Sequence, residues 1–358
     1  MTEEEEVNQF QYSNEDFNQS IPSWDVENAE CSQFDTVLRN GWDKAMKDGR
    51  FRYNLDHVKS KVLPGEKKLL VQLNTKRATE RRRPQAIMGL KQEFNPDNFN
   101  FNKAKKGEIL MELICKNSNS EGSPCKKQKK GRNLILINVS PLEYGNVLLV
   151  PDMEACQPQI MTVKGMEMAL EVMLLSAHRG FRMGFNSLCG FASVNHLHFH
   201  AWYADHKLYT ETEKVSHVHG LCYELEGSWT RGFVFQLEGS TINEVARSVH
   251  ALTSCFQDND TAHNLFMTRG QSFQDASKCT VRTYLWPRRN VFGIKDGAAF
   301  NVAVAELGGH LPLKDETNFE TLTEELAQQT FSDASLDESD YSKIRTKVIE
   351  QLKTLDNE

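Results

Sequence analysis

Three histidines at alternate positions, His196, His198 and His200, are the residues of this chain best suited to do chemistry. The stretch from Val194 to Tyr203 alternates its side chains and is rich in β-branched and aromatic residues, which predicts a β-strand. Residues two apart on a strand share a face at a spacing of about 6.5–7 Å, so the three imidazoles are expected side by side. The alternate residues are apolar and are predicted to face the core: Leu197, Phe199, Ala201 and Tyr203.

Three imidazoles on one face have three physical explanations. Purely structural histidines would leave several incompletely satisfied polar rings on a buried face, which is costly. His-x-His pairs can supply neutral nitrogen ligands to a metal, although no Cys-x-x-Cys pair or adjacent carboxylate completes such a site nearby. In nucleophilic catalysis on phosphorus, one imidazole attacks while its neighbours orient it and protonate the leaving group. The pattern favours this third explanation and leaves the other two open.

Composition is that of an ordinary globular protein and narrows the classes of function. The chain has 358 residues, enough for one large or two medium domains, with 39% hydrophobic and 25% charged residues. Its net charge of −7 argues against a nucleic-acid partner bound over a broad surface. No apolar run approaches the roughly 18 residues of a membrane span, so no membrane partner is expected.

The start of the chain and its cysteines predict a cytoplasmic protein. Residues 3–6 are glutamates, which is unlike a signal or transit peptide. The eight cysteines are scattered without motif spacing. They are therefore expected to be reduced thiols and not a disulfide framework.

Hydrophobic periodicity predicts an α+β fold in which one series of elements occurs twice. The first series ends with the histidine strand and contains strands over Ile109–Ile114, Asn133–Asn138, Asn146–Pro151 and Phe181–Asn186, with a helix over about 164–178 that Gly180 would stop. The second series contains Gly232–Leu237, a helix over Thr241–Phe256, Asn264–Met267 and Val281–Pro287, without comparable histidines. This pattern predicts two fused halves of mostly antiparallel sheet with covering helices, the second half being degenerate.

The predicted domain organisation has four parts. Residues 1–50 form an acidic segment expected to be disordered apart from one short helix, 51–225 the catalytic half, 226–325 the degenerate half and 326–358 a helical tail. A hairpin-like surface insertion is predicted over 116–132. A further strand is predicted over Phe300–Glu306, and helices over 317–330 and 339–355.

Several motifs together resemble the GDP-hexose phosphorylases, a branch of the histidine-triad superfamily. The turn Ser140-Pro141-x-x-x-Gly145-x-Val147-x-x-Val150-Pro151, followed by His196-x-His198-x-His200, resembles the superfamily. The branch is indicated by Gln72-Leu73-Asn74, Arg83-Pro84, Phe99-Asn100-Phe101-Asn102-Lys103, Gly184-Phe185-Asn186-Ser187, Asn195-His196-Leu197-His198-Phe199 and Glu306-x-x-Gly309-His310. The resemblance covers roughly residues 50–315 and implies a histidine-triad-like fold. It is strongest to the animal group, which acts on GDP-D-glucose, and extends to the plant group, which acts on GDP-L-galactose.

The resemblance implies a nucleotidyltransferase that works in two steps. His198 would attack the α-phosphorus of GDP-D-glucose and expel glucose 1-phosphate. Inorganic phosphate would then attack the guanylyl-histidine and release GDP, giving ping-pong kinetics. Backbone N–H groups and neutral side chains can hold the phosphate oxygens, so neither a metal nor another cofactor is expected. A monomer or a homodimer is expected.

The resemblance also implies roles for individual residues. His196 would orient His198 or ligate a structural metal, and His200 would contact the leaving-group oxygen. The expected substrate contacts are Asn186, Ser187, Ser193, Asn195, Arg83 and Lys103. Weaker candidates for the guanine or the sugar are Arg282 and the segment Glu306–His310. The basic run 76–83 is interpreted mainly as a solvated face, with contact to a phosphate or base as the alternative.

His200 departs from the pattern of the plant phosphorylases and the related uridylyltransferases, which have glutamine at this position. Hydrolytic histidine-triad proteins have histidine, and a third imidazole could activate water on the covalent intermediate. A nucleotide-sugar or dinucleotide hydrolase that releases GMP therefore stays open. So does a non-catalytic nucleotide-binding protein that regulates a partner.

Overall fold

The computed structural model describes residues 7–21, 24–25, 31–82, 84–116, 131–292 and 299–356. Its strands are β1 (Gln9–Tyr12), β2 (Lys59–Val62), β3 (Leu70–Leu73), β4 (Ile109–Cys115), β5 (Leu134–Ile137), β6 (Val147–Val150), β7 (Phe181–Asn186), β8 (Phe199–Tyr203), β9 (Val215–His219), β10 (Cys222–Leu225), β11 (Phe233–Gln236), β12 (Ala262–Gln271), β13 (Cys279–Arg288) and β14 (His310–Leu313). Its α-helices are α1 (Gln33–Lys47), α2 (Thr75–Glu80), α3 (Val163–Leu175), α4 (Ile242–Asp258), α5 (Val304–Leu307), α6 (Glu316–Thr321), α7 (Glu324–Ala334) and α8 (Glu338–Leu355).

Within the described ranges, one sheet contains 11 strands in the order β1-β4-β5-β6-β8-β7-β12-β13-β11-β10-β9. Every neighbouring pair is antiparallel except β1 and β4, which are parallel. The order is mirrored about the central pair, since β8 and β6 follow β7 outward while β13 and β11 follow β12. The α+β architecture and the mostly antiparallel sheet predicted from the sequence are confirmed.

The two faces of this main sheet are covered differently. One face packs against α1, α3, α4 and α8 in a first apolar cluster. The other face packs against α5–α7 and a three-stranded sheet of order β14-β3-β2 in a second cluster. Because β14 pairs parallel to β3, segments from distant parts of the chain meet on this second face and cover it together.

The segment 1–50 contains ordered elements. β1 adds a strand to the main sheet beside β4, and its residues Phe10 and Tyr12 are buried. In α1, Asp35 accepts a hydrogen bond from Tyr203 Oη at 2.7 Å. The prediction of disorder is wrong for Gln9–Tyr12, because an acidic composition conceals apolar side chains that the sheet buries. α1 is the short helix expected in this segment.

Two predicted helices end differently from expectation. α3 stops before Ser176, whose backbone is extended (φ −80°, ψ 129°) and whose hydroxyl donates to Asp35 at 2.6 Å. Gly180 is therefore not the stop signal. The helix predicted over 317–330 is divided into α6 and α7, because Thr323 is the N-cap of α7.

The segment 300–306, predicted to be a strand, instead leads into the short helix α5. Ala303 N donates to the Glu306 carboxylate at 3.0 Å, and Val304 N donates to Asn186 Oδ1 at 3.0 Å. Side chains thus bind the backbone donors that a strand would offer to a neighbouring strand.

Three further points concern limited parts of the chain. The insertion predicted over 116–132 lies almost entirely outside the described residues, which omit 117–130. Seven cysteines of the described ranges are free thiols. No helix in those ranges is long and apolar enough to cross a membrane.

Candidate active site

A cavity of about 290 Å³ lies on the sheet face that carries the small sheet. Its floor includes Leu136, Leu148 and His200, which are cross-strand neighbours on β5, β6 and β8. Its walls come from the segments 74–104 and 301–314. The volume is close to the lower end of the roughly 300–1,000 Å³ typical of small-molecule sites.

His198 enters the cavity from the segment just before β8. It is 2% exposed and lines the cavity, and its Nδ1 lies 2.7 Å from the carbonyl oxygen of His196. A carbonyl can only accept a hydrogen bond, so Nδ1 carries the proton and Nε2 keeps its lone pair. Burial lowers the pKa of His198 to about 4. The ring is therefore neutral at pH 7 and is able to act as a nucleophile.

Gln159 holds the backbone around His198 with both ends of its amide. Its Oε1 accepts a hydrogen bond from His198 N at 2.9 Å, and its Nε2 donates to the carbonyl oxygens of His198 and Asn186, both at 3.0 Å. One buried side chain thus joins the histidine segment to the end of β7. The sequence analysis missed Gln159, because no pattern distinguishes a single glutamine in a loop.

His200 lies on the cavity floor beside His198. The two ring centroids are 5.1 Å apart, with an angle of 66° between the ring planes. Burial, followed by the neighbouring His198 and the positive charge of Arg77, lowers the pKa of His200 well below its ordinary value. Both rings are therefore neutral at pH 7. His198 offers the lone pair of Nε2, and His200 can offer either a lone pair or one N–H to a ligand.

Gly184 is the cross-strand neighbour of His200 on β7. A Cβ atom at this position would lie only 2.5 Å from a methyl carbon of Val304. The missing side chain therefore lets α5 approach the main sheet closely enough to form part of the cavity wall.

The histidine strand is shorter than predicted. β8 begins at Phe199 and not at Val194, so His200 alone of the three histidines lies on a strand. The preceding segment is held by hydrogen bonds with loops instead. For example, Asn195 Oδ1 accepts a hydrogen bond from Gln159 N at 2.9 Å. The alternate apolar residues are nevertheless buried as predicted: Leu197, Phe199, Ala201 and Tyr203.

His196 lies behind the cavity and is absent from its lining. It is fully buried, and its ring centroid is 5.4 Å from those of Phe94 and Phe101. Its Nδ1 accepts a hydrogen bond from Phe101 N at 3.2 Å, and burial lowers its pKa to about 4. His196 contacts His198 through its main-chain carbonyl, so the orienting group is the backbone and not the imidazole.

The expected substrate contacts divide into two groups. Asn186 and Ser193 line the cavity. Ser187, Asn195 and Lys103 do not, since each binds main-chain groups that shape a loop. The expectation of a substrate contact is not supported for these three residues, because short-range motifs do not distinguish a loop support from a ligand contact. Arg83 lies outside the described residues.

The weaker candidates for contact with the guanine or the sugar also fall into two groups, one buried away from the cavity and one lining it. Arg282 and His310 are buried away from the cavity, and Arg282 donates to the carbonyl oxygens of Gln271 and Glu213. Glu306 lines the cavity and is 6% exposed. Burial raises the pKa of Glu306 to about 7.

The cavity wall carries more positive than negative side chains. The cations are Arg77, Arg81, Arg82 and Lys314, and the carboxylates are Glu108 and Glu306. The structure thus places three arginines of the basic run 76–83 in the cavity, contrary to its interpretation as a solvated face. The run of positively charged residues is visible in the sequence. It does not show which side of α2 other segments cover. The excess of positive charge suits an anionic ligand.

In the described part of the chain, no group of three or more histidine, cysteine, aspartate or glutamate side chains is arranged to hold a metal ion.

Comparison with known proteins identifies the family. Residues 33–202 match the family model described as GDPGP1-like, N-terminal domain, and residues 207–355 match GDPGP1-like, C-terminal domain. GDP-D-glucose phosphorylase 1 of Danio rerio is 39% identical over 350 residues, which cover 96% of this chain and 98% of the relative. GDP-L-galactose phosphorylase 2 of Arabidopsis thaliana is 28% identical over 343 residues, covering 89% and 76%.

Among solved structures, yeast Ap4A phosphorylase Apa2 in complex with Ap4A has a similar fold. The TM-score is 0.58 at 15% identity, with 85% of this chain and 98% of that chain covered. The two domain models together span most of the chain, and the Danio rerio relative matches over 98% of its length. The chain therefore belongs to the GDPGP1-like family.

Proposed function

We propose that this protein catalyses the phosphorolysis of GDP-D-glucose to GDP and glucose 1-phosphate, with His198 as the nucleophile. The observation that carries the proposal is the ring of His198, which lines the cavity with Nδ1 bound to the His196 carbonyl and Nε2 unprotonated. The relatives named GDP-D-glucose phosphorylase 1 support the sugar nucleotide as substrate.

In the first step, the lone pair of Nε2 forms a bond to the α-phosphorus of GDP-D-glucose. The bond from this phosphorus to the bridging oxygen breaks, and its electron pair leaves with glucose 1-phosphate. In the second step, an oxygen of inorganic phosphate forms a bond to the same phosphorus, and the phosphorus–nitrogen bond breaks back to Nε2. The hydrogen bond from Nδ1 to the carbonyl stabilises the positive charge that the imidazole carries while it is guanylylated.

The charges of the cavity support a diphosphate ligand. Among the described residues, four cations and two carboxylates line it. The pKa of Glu306 near 7 means that this carboxyl is partly neutral at pH 7. A sugar nucleotide carries two negative charges on its diphosphate, which the cations can bind.

We also propose that the second half is a degenerate copy of the first, with a boundary before residue 215 and not near 225. β9 and β10 support this boundary, because they continue the sheet beyond β11 on the side of the second half. The mirrored strand order about β7 and β12 supports a duplication. β13, which stands where β8 stands in the first half, carries arginine and aromatic side chains on its cavity-side face and no histidine. The second half would thus contribute a wall of the site and no nucleophile.

Product analysis tests the proposed reaction. The purified protein is mixed with GDP-D-glucose, with and without inorganic phosphate, and nucleotides and sugar phosphates are separated. GDP and glucose 1-phosphate are expected only with phosphate. The same assay with other GDP-hexoses measures the sugar preference, and the absence of turnover with every GDP-hexose would contradict the proposal.

A second candidate function, hydrolysis to GMP, is favoured by one observation. His200 lies on the cavity floor 5.1 Å from His198 between ring centroids, where its ring can hold a water molecule on the guanylyl intermediate. GMP that forms at the same rate with and without phosphate would identify this activity in place of phosphorolysis.

A further inference from the structure

Ser140 presents a buried hydroxyl that the fold does not satisfy. It lies in the turn between β5 and β6, lines the cavity and is 5% exposed. Its backbone N donates to Asn138 Oδ1 at 3.2 Å, but none of the residues that the structure describes forms a hydrogen bond with its Oγ. A buried hydroxyl without a partner is unfavourable, so a ligand with acceptor oxygens would bind well beside it.

Arg77 brings a positive charge to the same turn. Its Nη1 donates to the carbonyl oxygen of Ser140, and Asn74 fixes its position on α2 by accepting a hydrogen bond from Arg77 N at 3.1 Å. None of the carboxylates that the structure describes forms an ion pair with Arg77. Arg77 also interacts electrostatically with Glu306 and donates a hydrogen bond to Tyr53. Because a guanidinium has five N–H donors, it retains donors for a further anion.

The positions of these groups relative to His200 identify where in the cavity such an anion would lie. Arg77, Ser140 and His200 all line the cavity, and the charge of Arg77 contributes to lowering the pKa of His200. His200 in turn neighbours His198. An anion bound by Arg77 and Ser140 would thus share the cavity with His200 and the nucleophile.

We propose that Arg77 and the Ser140 hydroxyl, beside His200, form the subsite for the acceptor phosphate, and that the same subsite holds the β-phosphate of the sugar nucleotide beforehand. This inference rests on the proposed phosphorolysis. An in-line mechanism requires one shared subsite, because the leaving oxygen of the first step and the attacking oxygen of the second both lie opposite Nε2 across the α-phosphorus. The subsite would thus favour phosphate over water as the acceptor.

Variants of Arg77 and Ser140 test the subsite. Label exchange from inorganic phosphate into GDP reports the second step alone, and it gives a KM for phosphate. Arg77→Gln is expected to raise this KM about 100-fold and Ser140→Ala about tenfold, as for loss of a charged and of a neutral hydrogen bond. Arg77→Lys is expected to fall between the wild type and Arg77→Gln. Lys76→Gln, which removes a neighbouring charge of α2 outside the cavity lining, is the matched control and is expected to leave this KM unchanged.

A second measurement separates phosphate binding from damage to the fold. Guanosine 5′-phosphorimidazolide can guanylylate His198 although its leaving group contains no phosphate. Arg77→Gln is expected to retain this labelling while it loses exchange at low phosphate. Loss of both reactions would overturn the inference, since Arg77 would then support His198 and not phosphate.

The remaining outcomes also decide the question. A KM for phosphate within twofold of the wild type in both Arg77→Gln and Ser140→Ala would overturn the subsite and leave the proposed function intact. A wild-type protein that forms no GDP from GDP-D-glucose and phosphate would refute the proposed function itself, and the subsite with it.

Discussion

The second face of the main sheet is used in two different ways along its length. Over β5, β6 and β8 the covering segments leave a cavity, and His200 is on its floor. Over β12 and β13 the same face is filled by aromatic rings, among them Tyr284 and Trp286, which stack with centroids 5.3 Å apart at 11°. α7 adds Phe331 to this packing. The comparison shows that equivalent sheet surfaces become a site or a core according to what the covering loops leave empty.

His198→Gln is expected to have the largest effect on the reaction rate, because it removes the nucleophile from the cavity. GDP formation from GDP-D-glucose and phosphate should fall by about four orders of magnitude or more. His217→Gln is the control, since His217 is an exposed residue of the edge strand β9 and its loss should leave the rate unchanged. An equal loss of GDP formation in His198→Gln and His217→Gln would contradict the assignment of the chemistry to the cavity.

Trp286→Ala is expected to act on stability and not on chemistry. Trp286 is 2% exposed, and truncation of a buried tryptophan costs about 3–5 kcal/mol of the free energy of unfolding. Urea unfolding measures this cost, while the folded variant should form GDP within a few-fold of the wild-type rate. Phe292→Ala, at a position 56% exposed, should cost less than about 0.5 kcal/mol. Loss of GDP formation in Trp286→Ala with an unchanged free energy of unfolding would show instead that the aromatic packing over β12 and β13 takes part in the reaction.

Gly184→Ala tests the junction where α5 approaches the main sheet. The new Cβ would lie 2.5 Å from Val304, so the free energy of unfolding should fall by about 1–3 kcal/mol. Val304→Ala removes the clashing methyl groups. The double variant should therefore be less destabilised than the sum of the single variants by about 1 kcal/mol, as measured in a double-mutant cycle. Additive losses would show that α5 does not depend on this glycine.

Glu306→Gln is expected to change the pH dependence of stability. Burial raises the pKa of Glu306 from 4.5 to about 7, so the folded state binds this proton more tightly than the unfolded state. The free energy of unfolding of the wild type should fall as pH rises from 4.5 to 7, with up to about 1.4 kcal/mol per pH unit due to this group. The variant should lack that contribution in urea unfolding at several pH values. Parallel curves of the free energy of unfolding against pH for the wild type and Glu306→Gln would contradict this expectation.

Elements with strong periodicity could be predicted from the sequence. β7 was predicted over its full range, and α4 over nearly all of its length, because an amphipathic stripe is a local signal. The extent of the histidine strand could not be predicted. Alternation reports which side chains are buried, but not whether a neighbouring strand or the side chain of Gln159 binds the backbone of His198.

The candidate site could be predicted in part. His198 was identified from spacing and family resemblance, and it lies in the cavity. Ser187 and Lys103 belong to the same motifs but hold loops, because a motif reports proximity along the chain and not direction in space. Arg77 was identified only as part of a charge run. Its place in the cavity depends on the turn at Ser140, which is distant in sequence.

The pairing of β7 with β12 at the centre of the main sheet has a consequence for synthesis of the chain. On the ribosome the first half is complete well before Ala262–Gln271 is made, and until then the outer edge of β7 has no strand to pair with. At about 5–20 residues per second this interval lasts on the order of seconds. An open strand edge can pair with other chains. The newly made first half is therefore the stage at which this protein is most exposed to aggregation, and molecular chaperones would be of most use to it then.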